Sequence, residues 1–129
     1  MKNNTIFFVL LAIQFLGIHL GQAQIKVEAL LGEWKLDMTP QDTTDSNFAM
    51  MRIEKVTDTS FEGIFYREGV KLQEGRINTQ RGILYGALVS GDNSGEYNTS
   101  FYLEEGKLYG STHALARGFL AVWVAEKVK

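Results

Sequence analysis

From Gly32 onward, the chain is a succession of short segments in which apolar and polar residues alternate. Such alternation places successive side chains on opposite faces of a β-strand. Each segment ends at a turn signal, the strongest being Gly91-Asp92-Asn93-Ser94-Gly95, because Asp, Asn and Gly tolerate positive φ. The pattern predicts eight strands: Gly32–Met38, Asn47–Val56, Ser60–Glu68, Val70–Asn78, Ile83–Ser90, Glu96–Glu104, Lys107–Ala116 and Phe119–Lys127.

Eight strands joined by short turns favour antiparallel neighbours in chain order, which is an up-and-down meander. An open meander leaves two unpaired edges, and closing the sheet removes both. The alternative is a two-sheet sandwich, which needs long crossovers, and only the loop 39–46 is long enough. We therefore predict an all-β fold, an eight-stranded antiparallel barrel whose lumen holds side chains or one small ligand. Apolar residues at helical spacing in Gln24–Leu31 predict a short N-terminal helical turn that plugs one end.

The first 23 residues have the composition of a secretion signal. Lys2 precedes an apolar run over 6–20, and Gly21 and Ala23 are small residues before a cut at Ala23/Gln24. An uncleaved membrane anchor is the alternative, but the run is shorter than the roughly 20 residues that a span needs. We predict a signal peptide at 1–23 and a single barrel domain at 24–129. The protein is then exported, periplasmic or extracellular, with no membrane span after signal removal.

Composition excludes several functions of the exported domain. Without Lys2 it carries 12 Lys and Arg against 15 Asp and Glu, so a nucleic-acid partner is not expected. The chain has no Cys, which excludes thiolate chemistry, and one His remains after the signal, so no metal site is expected. Ser111 and His113 lie two residues apart on one strand, too far for a nucleophile–base pair. We predict no catalytic residues and no cofactor.

The run Leu30-Leu31-Gly32-Glu33-Trp34 is similar to the G-x-W opening of the calycin barrels, which include lipocalins, fatty-acid-binding proteins and avidins. The resemblance implies that Trp34 closes one barrel end after a single turn. Length and strand count resemble the avidins, but the biotin site does not transfer, because the chain has two Trp and the last strand has no Asp. Small secreted inhibitors of bacterial alkaline proteinase are also similar in size and in an early Gly-x-Trp. No specific family is indicated.

Ligand-binding candidates are the aromatic, apolar and cationic residues expected to face the lumen. Arg67 is predicted to share a strand face with Phe61 and Phe65, where it is either a cation at the barrel mouth that meets an acidic ligand or a side chain that extends outward over its apolar neighbours. The candidates are Trp34, Leu36, Phe65, Arg67, Tyr97, Phe101 and His113.

Strands 83–90 and 119–127 are apolar on both faces, as in Leu120, Val122 and Val124 of the last strand. A barrel strand of this kind exposes apolar side chains outward unless something covers them. Self-association through these two strands is therefore one prediction, and a modest exposed patch on a monomer is the other.

Three functions fit these features. The first is a non-enzymatic binding barrel for a small, largely apolar ligand. The second is a protein-binding module, such as an inhibitor of a secreted or periplasmic hydrolase, which a filled lumen and an exposed 39–46 loop would favour. The third is a small barrel isomerase or cyclase that uses His113 and an Arg.

Overall fold

The computed structural model describes residues 25–128, so the predicted signal peptide and its cleavage site lie outside the described residues. A 3₁₀ helix at Val27–Leu30 is followed by eight strands: β1 (Gly32–Asp37), β2 (Phe48–Val56), β3 (Phe61–Tyr66), β4 (Gln73–Asn78), β5 (Tyr85–Asp92), β6 (Gly95–Glu104), β7 (Lys107–Ala114) and β8 (Phe119–Lys127). The predicted all-β fold, its strand number and its helical turn are confirmed. Within residues 25–128, no helix has the length and apolar character needed to cross a membrane.

The first and last strands are hydrogen-bonded neighbours, which joins the two ends of the chain. The strand order is β3-β2-β1-β8-β7-β6-β5-β4, and every neighbouring pair is antiparallel. Between β1 and β8, Trp34 pairs with Lys127 and Leu36 pairs with Ala125. This ladder turns the meander into a barrel instead of an open sheet.

The seam between β3 and β4 is only partly hydrogen-bonded. Isolated bridges join Ser60 to Arg76 and Ile64 to Lys71, with an irregular stretch of β4 between them. Within that stretch Glu74 has a positive φ of 53°, a conformation that interrupts a regular ladder. The barrel is therefore nearly closed, and β4 begins at Gln73 instead of the predicted Val70.

Trp34 closes one end of the barrel. Its indole Nε1 donates a hydrogen bond to the Leu30 carbonyl at 2.9 Å, and the side chain is buried. The Lys127 ammonium donates to the Ala29 carbonyl at 2.7 Å and lies 5.1 Å from the centroid of the Trp34 ring. The two bonds hold the 3₁₀ helix over this end and give partners to two of its carbonyl groups.

Two inward-facing glycines accommodate the largest rings of the core. The register places Gly86, Phe101, Gly110 and Trp123 side by side on β5, β6, β7 and β8. A Cβ added at Gly86 would overlap the Phe101 ring, and one at Gly110 would overlap the Trp123 indole. Each ring thus fills the space that its neighbouring glycine leaves empty, which gives the close packing of a protein core.

Gly110→Ala tests this packing against strand propensity, since Ala is no worse than Gly in a strand. We expect the substitution to destabilise the fold by about 1–3 kcal/mol, because Trp123 has to shift in a filled core. Urea unfolding followed by tryptophan fluorescence measures the change. Ser111→Ala, one residue away on the outer face, is the control and should change stability by less than about 0.5 kcal/mol. Equal stability of the Gly110→Ala protein and the wild type would contradict the packing.

Candidate functional site

A cavity of about 370 Å³ lies inside the barrel at the end opposite Trp34, which we call the mouth cavity. The ends of β1, β3, β5, β6, β7 and β8 and the turn between β7 and β8 surround it. Its lining residues are Met38, Asn47, Phe65, Tyr66, Ser90, Tyr97, Thr112, Ala114, Arg117, Phe119 and Ala121.

The cavity exists because three of the inward-facing residues near the mouth are small. Ser90 on β5, Ala114 on β7 and Ala121 on β8 occupy positions whose counterparts deeper in the barrel include Phe101 and Trp123. Small side chains cannot reach across a barrel of this width, whereas the aromatic rings below them meet in the middle. Side chains therefore fill the lumen at the closed end and not at the mouth.

A buried polar network forms part of the cavity floor. The Trp123 indole Nε1 donates to the Thr112 hydroxyl at 3.0 Å, and the hydroxyls of Thr99 and Thr112 are 2.9 Å apart. One hydroxyl proton is used between the two threonines, so the pair retains a second proton to donate. When Thr99 donates the bond between the two hydroxyls, the remaining proton is on Thr112, which lines the cavity and can donate to a group bound there.

A stacked pair of aromatic rings, hydrogen bonds and an ion pair hold one side of the rim of the mouth together. The Tyr66 and Tyr97 rings stack with centroids 6.5 Å apart, and the Tyr97 hydroxyl bonds with Ser94 and Asp92. Arg67 lies 3.6 Å from the Asp92 carboxylate. Tyr66 has a positive φ of 85°, which is costly for a bulky residue and ends β3 at this point. The contacts join the β3–β4 turn to the β5–β6 turn across the mouth.

The predicted site residues divide into three groups in the structure. Phe65 and Tyr97 line the mouth cavity. Trp34, Leu36 and Phe101 face the lumen but belong to the filled, closed half of the barrel. The remaining two, Arg67 and His113, lie outside the cavity.

The predicted lumen position of His113 is wrong. It pairs with Asn98 of β6 and Leu120 of β8 on the outer face, and its inward neighbours on the strand are the buried Thr112 and Ala114. Arg67 is displaced for another reason: it follows the positive-φ residue that ends β3, and it reaches the rim, where Asp92 neutralises it.

Sequence reasoning missed most of the cavity lining. Ser90, Ala114 and Ala121 are small and carry no signal of a site, although strict alternation along their strands puts them on the inner face. Arg117 lies in the turn 115–118, outside every strand, so the alternation of strand faces carries no information about it. Within residues 25–128, no three His, Asp or Glu side chains lie close enough to hold a metal ion.

A larger groove of about 760 Å³ crosses the outer face of β4–β8 and is open to solvent along its length. Tyr85, Tyr102 and Tyr109 form a row beside it, with the Tyr102 and Tyr109 ring centroids 5.4 Å apart. Its lining includes the small residues Ala87 and Ser111. We regard the mouth cavity as the candidate site, because it lies inside the barrel against four buried residues, Phe65, Ser90, Thr112 and Ala114, whereas the outer groove is open to solvent.

The Asp92 carboxylate accepts hydrogen bonds from Ser94 and Tyr97 and is paired with Arg67 at the rim. The Ser94 hydroxyl and backbone N–H donate to its carboxylate, with Tyr97 and Arg67 adding to the effect, and together they lower the pKa of Asp92 below its usual 3.8. Because the folded-state pKa is lower than the unfolded one, the ionised carboxylate stabilises the fold above about pH 3.8. That stabilisation is lost as the pH falls through the folded-state pKa, below 3.8.

We expect Asp92→Asn to lower the melting temperature at pH 7, with the difference from wild type shrinking as the pH falls below about 3.8. Thermal melts from pH 7 to pH 2, followed by circular dichroism, measure it. Asp45→Asn, in the exposed 39–46 loop, is the control and should differ little from wild type at any pH. A difference for Asp92→Asn that stays constant down to pH 2 would contradict this role of the carboxylate.

Comparisons with known proteins give one structural likeness. No family model matches the sequence, and no curated protein is significantly similar to it. The chain is similar in structure to a point mutant of the fluorescent protein UnaG, with a TM-score of 0.44 and 14% identity over 81% of this chain and 99% of that chain. With its G-x-W opening, its tryptophan-plugged end and its eight antiparallel strands, the chain is a calycin-like small β-barrel without a specific family match.

Proposed function

We propose that the protein is an exported, non-enzymatic binding barrel that takes a small, largely apolar ligand into the mouth cavity. The observation that carries the proposal is the uneven filling of the lumen. Residues of the closed half, such as Trp34 and Leu108, are fully buried in a continuous core, while side chains leave a cavity of about 370 Å³ at the mouth. Filling that space would have required only larger side chains at Ser90, Ala114 and Ala121.

Size and lining support a small ligand with an apolar body. Protein pockets for small molecules measure about 300–1,000 Å³, and the mouth cavity is at the lower end of that range. Met38, Phe65, Phe119 and the two alanines give it mostly apolar walls, with a few polar groups among them. Burial of apolar ligand surface against such walls contributes about 25 cal/mol per Å².

The two alternatives lack the features that would favour them. A hydrolase inhibitor of this size would be expected to have a filled lumen and to act through its loops; the 39–46 loop is exposed, but the lumen is not filled. The isomerase or cyclase requires His113 beside the bound substrate, and His113 lies on the outer face. Among the lining residues of the mouth cavity there is no His, Asp, Glu or Lys to act as acid or base.

Export and self-association also belong to the proposal. Export is supported by the apolar run at 6–20 and the small residues before Gln24. Self-association is supported by the outer face of β5–β8, where three successive cross-strand rows hold no Asp, Glu, Lys or Arg. The rows are Tyr85-Tyr102-Tyr109-Val124, Ala87-Ser100-Ser111-Val122 and Val89-Asn98-His113-Leu120.

The area of this uncharged face sets the strength of the association. Strands lie about 4.8 Å apart and same-face residues about 6.8 Å apart, so twelve positions cover roughly 400 Å². A standard stable interface buries about 800 Å² on each partner. We therefore infer a weak dimer in which a second copy covers the face, including the exposed Leu120 and Val122.

Native mass spectrometry of the protein purified from its source tests both statements. We expect a chain that begins at Gln24 and a dimer fraction that grows with concentration. A chain that retains residues 1–23 would contradict export. A monomer at every concentration up to the millimolar range would contradict self-association.

The binding proposal is tested with N-phenyl-1-naphthylamine, a neutral apolar probe that fluoresces when it leaves water. We expect saturable binding to the wild type and at least about tenfold weaker binding to Ala121→Phe, whose ring would fill the mouth cavity. Fluorescence titration measures both affinities, and circular dichroism verifies that the variant is folded.

Ala87→Phe is the matched control, because it adds the same ring to the outer groove instead of the cavity. It should bind the probe as the wild type does. Binding that is lost in Ala87→Phe and retained in Ala121→Phe would place the probe in the outer groove and refute the proposal. Absence of any saturable binding to the wild type would refute it as well.

A further inference from the structure

We propose that the ligand of the mouth cavity carries a negative charge, held at the rim by Arg117; this inference rests on the proposed binding function. The first observation is the charge of the lining. Of the eleven lining residues, Arg117 is the single ionisable one with a charge at neutral pH, and its charge is positive. A cavity with one cation and no carboxylate is complementary to an anion.

The guanidinium of Arg117 is not neutralised within the described part of the chain. Among residues 25–128, it has no carboxylate oxygen within 4.0 Å, whereas Arg67, on the other side of the rim, is 3.6 Å from Asp92. Arg52 and Arg76, which lie on the outer face of the barrel, are paired with glutamates. Arg117 thus differs from the three ion-paired arginines in both its position at the cavity and its available charge.

The turn between β7 and β8 holds Arg117 at the rim. The guanidinium carbon lies 4.8 Å from the centroid of the Phe119 ring, so a cation–π contact orients the side chain along a cavity wall. Gly118 has a positive φ of 66°, and its N–H donates to the Ala114 carbonyl at 2.9 Å, which fixes the turn. The planar guanidinium with its five N–H donors suits a carboxylate, which it can bind through two parallel hydrogen bonds.

The neutral polar groups of the lining also include unused donors. Ser90 is only 2% exposed, and its hydroxyl makes no hydrogen bond with another described residue, yet it lines the cavity. The Thr99–Thr112 pair retains one hydroxyl proton, as described above. Each is a hydroxyl that can donate to an acceptor oxygen of a bound ligand. A ligand with an anionic group at the mouth and an acceptor oxygen deeper in the cavity would satisfy all three.

The chemical class that follows is a small apolar acid: an aromatic or aliphatic body with one carboxylate or similar anion. Its apolar body would lie against Phe65 and Ala121, and its charge would stay near the partly exposed rim. This placement avoids the large cost of burying a charge away from water.

Two probes with the same arylamine body separate this inference from the function on which it rests. N-phenyl-1-naphthylamine is neutral, and 1-anilinonaphthalene-8-sulfonate adds one sulfonate. We expect wild type to bind the sulfonate at least about tenfold tighter, a preference that weakens as salt is added because the rim is exposed. Both probes should bind more weakly to Ala121→Phe, which identifies the mouth cavity as their site.

Arg117→Gln should lower the ratio of the two affinities by about tenfold, and Arg117→Lys should restore part of it, because Lys keeps the charge without the paired donors. Arg81→Gln is the matched control, since it removes an exposed arginine from the turn between β4 and β5 at the closed end of the barrel. Its affinity ratio should equal that of the wild type.

The outcomes distinguish the two proposals. If the neutral probe binds in the cavity and the sulfonate binds no more tightly than the neutral probe, the anion inference is overturned. The binding function is left intact by that result. An affinity ratio that is the same in Arg117→Gln and wild type, or that falls equally in Arg81→Gln, would also overturn it. Failure of both probes to bind wild type would refute the binding function itself.

Discussion

The hydrogen-bonded ladder between β1 and β8 is the constraint on which the rest of the structure depends. It joins the two ends of a meander, so alternate side chains of every strand share one enclosed interior instead of one face of an open sheet. Without this pairing the sheet would be open. Trp34 would then have no lumen to close, and the residues that line the mouth cavity would lie on an exposed surface. The incomplete seam between β3 and β4 is tolerated, because its bridges at Ser60 and Ile64 hold both sides together.

Side-chain size divides this enclosed interior into a structural half and a binding half. At the closed end, Phe101 and Trp123 lie beside glycines and fill the barrel completely, and Trp34 seals it. At the mouth, Ser90 and Ala121 leave space that no side chain fills. Stability therefore comes mainly from the closed half, and the mouth is free to vary in size and polarity without loss of the core.

Much of the fold follows from the sequence because a period of two specifies both a strand and its faces. The inward set Thr99, Phe101 and Leu103 of β6 is an example, and Trp34 is another, since a glycine followed by a buried indole fits a barrel end. Strand ends were less predictable: Tyr66 and Glu74 adopt positive φ, which their residue types do not signal. The strands 60–68 and 70–78 were therefore predicted too long.

The site was harder to predict than the fold, because it depends on register and on a turn. On β7 neither face is clearly apolar, so only pairing with β6 shows that Thr112 faces in and His113 faces out. Arg117 belongs to a connection between strands, where alternation has no meaning.

The most direct test of the central claim, an open mouth above a filled core, is amide chemical-shift mapping by NMR with N-phenyl-1-naphthylamine. The account predicts shifts at Phe65 and Ala121 and none at Leu108; shifts confined to Tyr102 and its outer-face neighbours would contradict it.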